Sequence, residues 1–371
     1  MERTSRVADS SARRYPAAHL RRFAAEVFVR CGVPEEDARQ AADVLCTADE
    51  WGISSHGVAR LKAYYEMLTL GRINARASVR VVRETPSVAL VDGDNGLGLV
   101  VGARANALAI EKAQGTGTAW VSVRHSNHFG IAGYYTMQGV SRDMICWAMT
   151  NTPALVSPLW GVGRVLGTNP LSVAIPARSE PPVMVDMATS AISFGVAENA
   201  ARRGEQLPAG CIADASGNQG TEPGDLFIGG SLLPLGGDRE HGGHKGYCLA
   251  ALIDLLCGVL SGANWGPFIP PFPHGLGAPR PQVGLGLGHL FGAFSISAFT
   301  DCEEFKRRVD DWIEVLRSTT PTPGTDGVQI PGDPERRAAA ENATRGVLLL
   351  PSVVEELEEV ARGLGITFEN L

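Results

Sequence analysis

The chain has no uninterrupted apolar run long enough to cross a bilayer, so its sequence offers no membrane span. Its seven cysteines are odd in number and never spaced C-x-x-C, which speaks against a zinc centre or a disulfide framework. Most stand in apolar surroundings, as in "DMICWAMT" and "LIDLLCGVL", and read as buried free thiols of a reducing compartment. Lys and Arg are not clustered and the net charge is −7, so no nucleic-acid surface is expected. The opening "MERTSRVADSSARRYP" carries basic residues without the apolar core of a secretory signal. These absences point to a cytoplasmic protein with a disordered tail over residues 1–14. The G-x-G-x-x-G fingerprint is also missing: "GDNGLGLVVG", "GVGRVLG" and "GLGLGHLFG" all miss its spacing. A standard dinucleotide fold is therefore not expected.

What is present is an ordinary globular balance, 44% hydrophobic and 20% charged, in 371 residues. That length suits two domains, or one large core with a satellite. Segments 16–31 and 34–50 read as amphipathic helices, with Pro34 and the acids after it at a helix start. A third helix is expected over about 57–70. Alternation then predicts strands at 87–93, 118–124 and 144–151, with helices at 98–115 and 130–143 between them. From 152 to 240 the pattern weakens to short extended pieces, "DLFIGGS" among them, around one helix at 191–203. Residues 245–262 predict a helix buried on nearly all sides. The Pro/Gly-rich segment 267–288 reads as a mobile loop or lid. A strand "HLFGAFSISAF" and two late helices complete a mixed α/β chain.

Five segments carry chemistry. In "ISSHGVARLKAYYEML" (53–68), Ser54 or Ser55 can cap a helix and leave His56 beside its first amides, with Arg60 one turn on. The dipole there disfavours the imidazolium, so a proton on His56 is loosely held, and Arg60 is shaped to grip a carboxylate. Alone, the segment reads equally as an exposed cap beside a surface arginine. "VRHSNHFGIAGYY" (123–135) sets Asn127 and His128 on the loop after a strand, where α/β folds place ligands. A metal reading of His125 and His128 lacks a third ligand, and no metal is expected. In "LGTNP", Thr168, Asn169 and Pro170 interrupt any helix. In "VDMATSAISFG" (185–195) a strand runs into Asp186, and Thr189 and Ser190 stand at an expected helix start, suited to phosphate or to simple capping. In "PLGGDREHGGHKGY", His244 and Lys245 open a buried helix behind four glycines. A cation there opposes the dipole and calls for an anionic partner, within the chain or on a ligand.

In order, "SSHGVARLKAYYEML", "RHSNHFGIAGYY", "TNTPALVSPLWG", "LGTNP", "VDMATS", "LPAGCIADASGNQGTEP", "PLGG…HKGY" and "IPGDPE" resemble the malate/L-lactate dehydrogenase family that lacks a Rossmann fold. That family includes ureidoglycolate and sulfolactate dehydrogenases, diketogulonate reductase and reductases of piperideine- and pyrroline-2-carboxylate. The resemblance implies an α/β (α+β) fold: a largely antiparallel central sheet for the cofactor, and a helical domain built from both chain ends. It places a helical substrate and dimer region at 15–80, a cofactor-binding core at 81–300, and C-terminal helices of 301–371 packing back on the first region.

It also implies a homodimer with shared active sites, NADH or NADPH as cofactor, and a small carboxylate substrate. Carried over by position, His56 is the proton donor and acceptor, Arg60 the carboxylate clamp and His128 a further polar group at the reacting carbon, with Ser55 and Asn127 beside the substrate. Thr168, Asn169, Pro170, Asp186, Met187, Ala188, Thr189, Ser190, His244, Lys245, Pro331, Gly332 and Asp333 line the cofactor. The activity implied is hydride transfer at C2 of a 2-oxo or 2-hydroxy acid. Reduction of a cyclic imino acid is the alternative, and a non-catalytic NAD(P)-binding scaffold the reading from another class. Cys211 stands where the family usually has Trp, Asp333 where it often has Glu, and the "GGDREHGGHKG" spacer is long. These departures bear on substrate identity.

Overall fold

The computed structural model describes residues 12–271 and 282–368. Most of the expected tail, and the middle of the expected loop or lid at 267–288, lie outside the described residues. No helix among the described residues is long and apolar enough to cross a membrane. The chain divides into two compact units. Its two ends, up to Arg76 and from Asp333 onward, form the first, and Ala77–Gly332 forms the second.

In the first unit α1 (Ala17–Arg30) buries Leu20, Phe23, Ala24 and Val27, the i, i+3, i+4, i+7 stripe of an amphipathic helix. It packs on α2 (Glu35–Glu50), which buries Ala38, Ala41, Ala42 and Leu45. The pair runs antiparallel, because Arg21 near the start of α1 bonds both carboxylate oxygens of Glu50, at 2.8 and 2.6 Å, and Asp43 at 3.0 Å. The third helix, expected from residue 57, starts later. Two short 3-10 turns, Ser54–His56 and Val58–Arg60, precede α3 (Leu61–Thr69).

From the other chain end come α9 (Asp333–Arg345) and α10 (Pro351–Leu364). Helix α9 buries no residue, so it has no apolar stripe by which a sequence could announce it. Arg13 and Arg14, expected in the tail, belong instead to strand β1 (Arg13–Tyr15), paired antiparallel with β12 (Val347–Leu349). The Arg14 guanidinium donates to the Gly346 carbonyl at 2.6 Å and to Glu341 at 2.8 Å, which ties the two ends together.

The second unit is built on a seven-stranded sheet in the order β2-β3-β4-β11-β5-β6-β7. These strands are β2 (Arg80–Glu84), β3 (Val88–Asp92), β4 (Thr118–Ser126), β5 (Met144–Thr150), β6 (Leu171–Ile175), β7 (Val183–Met187) and β11 (Leu287–Ser295). Only β3 and β4 run parallel, joined by the crossover helix α4 (Gly98–Thr116); every other pairing is antiparallel. The sheet is thus largely antiparallel, as the family resemblance implied. Along β11, Phe291 faces a core with α4 and Tyr135 of α5 (Ala132–Met137), while its neighbour Leu290 faces Ile253 and Cys257. Alternation along one fully buried strand therefore serves both faces.

A small three-stranded sheet, β8 (Ile212–Ala213), β9 (Gln219–Gly220) and β10 (Ser231–Leu232), packs with α6 (Phe194–Arg203). "DLFIGGS", expected to be extended, is instead a 3-10 turn over Pro223–Ile228, opened by a proline whose φ suits the first turn. Helix α7 (Gly243–Asp254) continues into a π turn, Leu255–Val259. It is not buried on all sides: Leu252, Leu255, Val259 and Leu260 stand at least half exposed. Helix α8 (Cys302–Arg317), expected to pack on the N-terminal region, belongs to the second unit, where Ile313 meets Val183 and Ile330.

Phe291 carries much of the upper core, with its ring 5.4 Å from Tyr135 and 6.2 Å from Phe129. Phe291→Ala should lower the unfolding free energy by about 3–5 kcal/mol, read from the urea midpoint. A loss below about 1 kcal/mol would show that this face collapses around the void.

Candidate active site

In the first unit, Gly57 separates the two 3-10 turns that hold His56 and Arg60. Its ψ of −148° breaks the helix that the sequence led one to expect. Neither Ser54 nor Ser55 caps a helix. Ser55 serves both functional side chains instead: its hydroxyl meets His56 Nδ1 at 2.9 Å, and its carbonyl accepts from Arg60 Nε at 2.6 Å. Half-buried in this setting, His56 is pushed down to about 4, first by burial and then by the Arg60 charge. The neutral imidazole expected from a helix dipole is therefore present for a different reason. Among the described residues no carboxylate pairs with Arg60. An anchored guanidinium with no acid of its own suits an incoming carboxylate.

In the second unit, the loop after β4 holds Asn127 and His128. The Asn127 amide nitrogen donates to the Asn95 side chain and carbonyl, both at 3.1 Å, and to the Gly96 carbonyl at 2.9 Å. It pins the turn into α4. An added methyl at Gly98 would overlap the carbonyls of Asn127 and His128, so only glycine lets α4 start this close to them. His128 Nδ1 accepts from the Gly130 amide at 3.4 Å. His125 is structural: it bonds Asp92, which also takes Arg124 Nε at 3.2 Å.

The TNP and DMATS segments lie side by side. Thr189 donates its amide to the Thr168 carbonyl at 2.9 Å and its hydroxyl to the carbonyls of Thr168 and Asn169. Asn169 is fully buried at φ +31°; its side chain accepts from Thr152 N and donates to the Ala250 carbonyl, each at 3.0 Å. Asp186 Oδ2 accepts the Gly133 amide at 2.7 Å, joining the end of β7 to the first turn of α5, just beyond His128. The expected helix start at Thr189 and Ser190 is absent. Helix α6 begins at Phe194 behind the cap Ser193, and Ser190 donates to the Ile192 carbonyl. Both hydroxyls hold loops. Met187 and Ala188 are partly exposed between them.

The same region reaches α7, since Leu235 N donates to the Thr189 carbonyl at 2.9 Å. An added methyl at Gly246 would overlap the Leu235 carbonyl, so glycine lets the start of α7 press on this turn. There His244 Nδ1 meets Arg239 at 3.0 Å, and exposed Lys245 has no carboxylate partner among the described residues. Two or three basic groups at a helix N-terminus fit the phosphates of a dinucleotide. The Pro331 carbonyl accepts Met184 N beside β7, followed by Gly332, while Asp333 opens α9 and pairs with Arg336 at 2.6 Å. Cys211 is buried with Ile212 and Leu232, and its carbonyl accepts from Leu233 N.

Sequence reasoning missed His289. Fully buried on β11, it bonds Thr150 through Nδ1 at 2.7 Å and Ser126 through Nε2 at 2.8 Å, and stacks on Phe129 at 4.8 Å. It therefore braces the loop on both sides of His128. Burial pushes it down to about 3. Its one sequence signal is a polar ring inside an otherwise apolar strand.

A largely antiparallel sheet carries these loops in a non-Rossmann α/β architecture, and the family match and relatives make the protein an NAD(P)-dependent oxidoreductase. The chain belongs to the malate/L-lactate dehydrogenase family, whose model matches residues 15–358. It is 40% identical over 354 residues to a malate dehydrogenase of Pyrococcus horikoshii, covering 95% of this chain and 96% of that one. To a malate/(S)-sulfolactate dehydrogenase of Methanothermus fervidus it is 42% identical, covering 90% and 93%. A solved malate dehydrogenase structure from P. horikoshii superimposes with a TM-score of 0.87 at 39% identity, over 96% and 97% of the two chains. A delta1-piperideine-2-carboxylate reductase from Pseudomonas syringae pv. tomato gives 0.80 at 28% identity, over 94% and 100%.

His289 titrates at 6.5 in the unfolded chain and at about 3 in the fold. Between these values the unfolded chain binds more protons, so this contribution is complete above 6.5 and is lost as pH falls. His289→Gln should cost about 1–3 kcal/mol at pH 8, with a gap to the wild type that narrows at pH 5. Urea denaturation at both pH values measures it; an equal gap at the two would contradict a neutral buried ring.

Proposed function

We propose that the protein interconverts 2-oxo and 2-hydroxy carboxylates, malate-like or lactate-like, with NADH or NADPH. The observation that carries this reading is the His56–Ser55–Arg60 arrangement, in which one residue fixes a neutral imidazole beside an unpaired guanidinium. The names of the relatives, malate and sulfolactate dehydrogenases, support it. Arg60 takes the substrate carboxylate through its planar fork. Neutral His56 accepts the hydroxyl proton in oxidation and returns it to the oxygen in reduction. Arg60 is one of the two influences holding His56 down. A carboxylate that neutralises it therefore raises the hold of His56 on a proton, and substrate binding prepares the acid. Ser55 orients both groups, and His128 and Asn127 take the family's roles of further polar groups for the substrate, as the resemblance implies.

A bound nicotinamide cofactor would supply or receive the hydride. Lys245 and His244 would hold its phosphates, and Thr168–Pro170, Asp186–Ser190 and Pro331–Asp333 would line it. The free thiols support a cytoplasmic location. The apolar stripe of Leu252, Leu255 and Val259 supports a homodimer with shared sites. Cyclic imino acid reduction is the second reading, favoured by the piperideine-carboxylate reductase likeness. There the imine nitrogen enters protonated and His56 orients it.

Purified protein is to be mixed with NADH or NADPH and a panel of 2-oxo acids and cyclic imines, and absorbance followed at the nicotinamide band. Turnover of oxaloacetate or pyruvate above that of the imines supports the first reading; turnover of imines alone replaces it. His56→Ala should lower kcat by about 100-fold or more, and near-normal turnover sinks the mechanism. Arg60→Lys should raise the substrate KM by about 10-fold or more. Because His56 is neutral above about 4, kcat/KM for oxidation should be flat from about pH 5.5 to 8. That for reduction should fall about tenfold per pH unit.

A further inference from the structure

We infer that Asp49, on α2, is a positioning residue that sets His56 and Arg60 relative to one another. This rests on the roles proposed for those two side chains. Asp49 lies on the buried apolar face of α2 with Ala38, Ala42 and Leu45, where a carboxylate is the most costly kind of residue to place. It also stands in the last turn of that helix, where the dipole disfavours negative charge. An apolar side chain there would serve packing better. The acid supplies what an apolar residue lacks, an acceptor: its Oδ2 takes the Val58 amide at 2.8 Å. That amide opens the 3-10 turn that ends at Arg60, and such first amides have no partner inside their own turn.

The second oxygen, Oδ1, is buried with no hydrogen-bond donor among the described residues. It lies against Gly57, where an added methyl would overlap the whole carboxylate. Gly57 has φ −88°, open to any residue. Space, not conformation, thus demands glycine there, and what fills that space is Asp49. Gly57 is the joint between the turn of His56 and the turn of Arg60, and Asp49 grips the joint from beneath.

The test is a double-mutant cycle in the full chain: Asp49→Ala, Gly57→Ala and the pair, with Asp49→Asn as the conservative variant. Oxaloacetate and pyruvate with NADH and NADPH are the probes of reduction, and malate and lactate with NAD+ and NADP+ those of oxidation. Each alanine variant should lose about 100-fold in kcat/KM, the scale of a misplaced catalytic group. The pair should be no worse than Asp49→Ala, because the overlap is gone. Asp49→Asn keeps the acceptor for Val58 and should recover most of the activity. In Asp49→Ala the His56 limb of the oxidation profile should move up from about 4 towards 6.5 as Arg60 departs, a shift that lost stability alone would not produce. NADH affinity, by nucleotide fluorescence, should stay within about 3-fold.

Wild-type kcat/KM in Asp49→Ala, or multiplying losses in the pair, overturns the inference, as does loss of NADH binding alongside activity. His56→Ala is run beside them. If it is inactive while Asp49→Ala is normal, only this inference fails; if it is active, the proposed mechanism fails first.

Discussion

The first unit of this protein holds a guanidinium beside an imidazole, with no carboxylate paired to the guanidinium among the described residues. Burial keeps the imidazole neutral, and the like charge of Arg60 adds to that preference. Two hydrogen bonds to one serine keep the pair from relaxing apart. The result is an imidazole whose hold on a proton is set low; a salt bridge at Arg60 would have weakened one of its two causes by neutralising the charge.

The second unit solves a different problem, fixing its loops against the sheet. Thr189, Asn169 and Ser190 turn their polar atoms inward and tie the TNP and DMATS segments to one another. Glycines at 98 and 246 allow helix ends to press on neighbouring carbonyls. Beneath them the His289 bonds cross from β11 to β4 and to β5, and every polar atom of the ring has a partner. A buried network of this kind tolerates little displacement, because each lost bond leaves an unpaired group in a low-dielectric interior. Rigidity of the loops is thus built from the sheet upward.

Much of this was legible in the sequence. The strands at Val88–Asp92, Thr118–Ser126 and Met144–Thr150 announced themselves by alternation, and α1 and α2 by their apolar stripes. His56, Arg60 and His128 stood out because such residues at element ends are chemically conspicuous. The illegible parts share a physical cause. Helix α9 buries nothing and β2 is exposed throughout, so neither has a periodic face. The break at Gly57 looked like a helix start because its reason, the Asp49 carboxylate, lies on another helix. The expected phosphate hydroxyls at Thr189 and Ser190 turned inward because Thr168, Asn169 and Ile192 offer them carbonyls, which no local pattern records.

By itself, the sequence determined the residue chemistry, the absence of a dinucleotide fingerprint and the order of the motifs that identify the family. Those are properties of side-chain type and spacing along one dimension. The tertiary structure alone decided which polar atoms remain available, why His56 is neutral and why glycine is required at position 57. Each depends on burial and on contacts between residues distant in the chain, and desolvation and steric exclusion act only once the chain has folded around them.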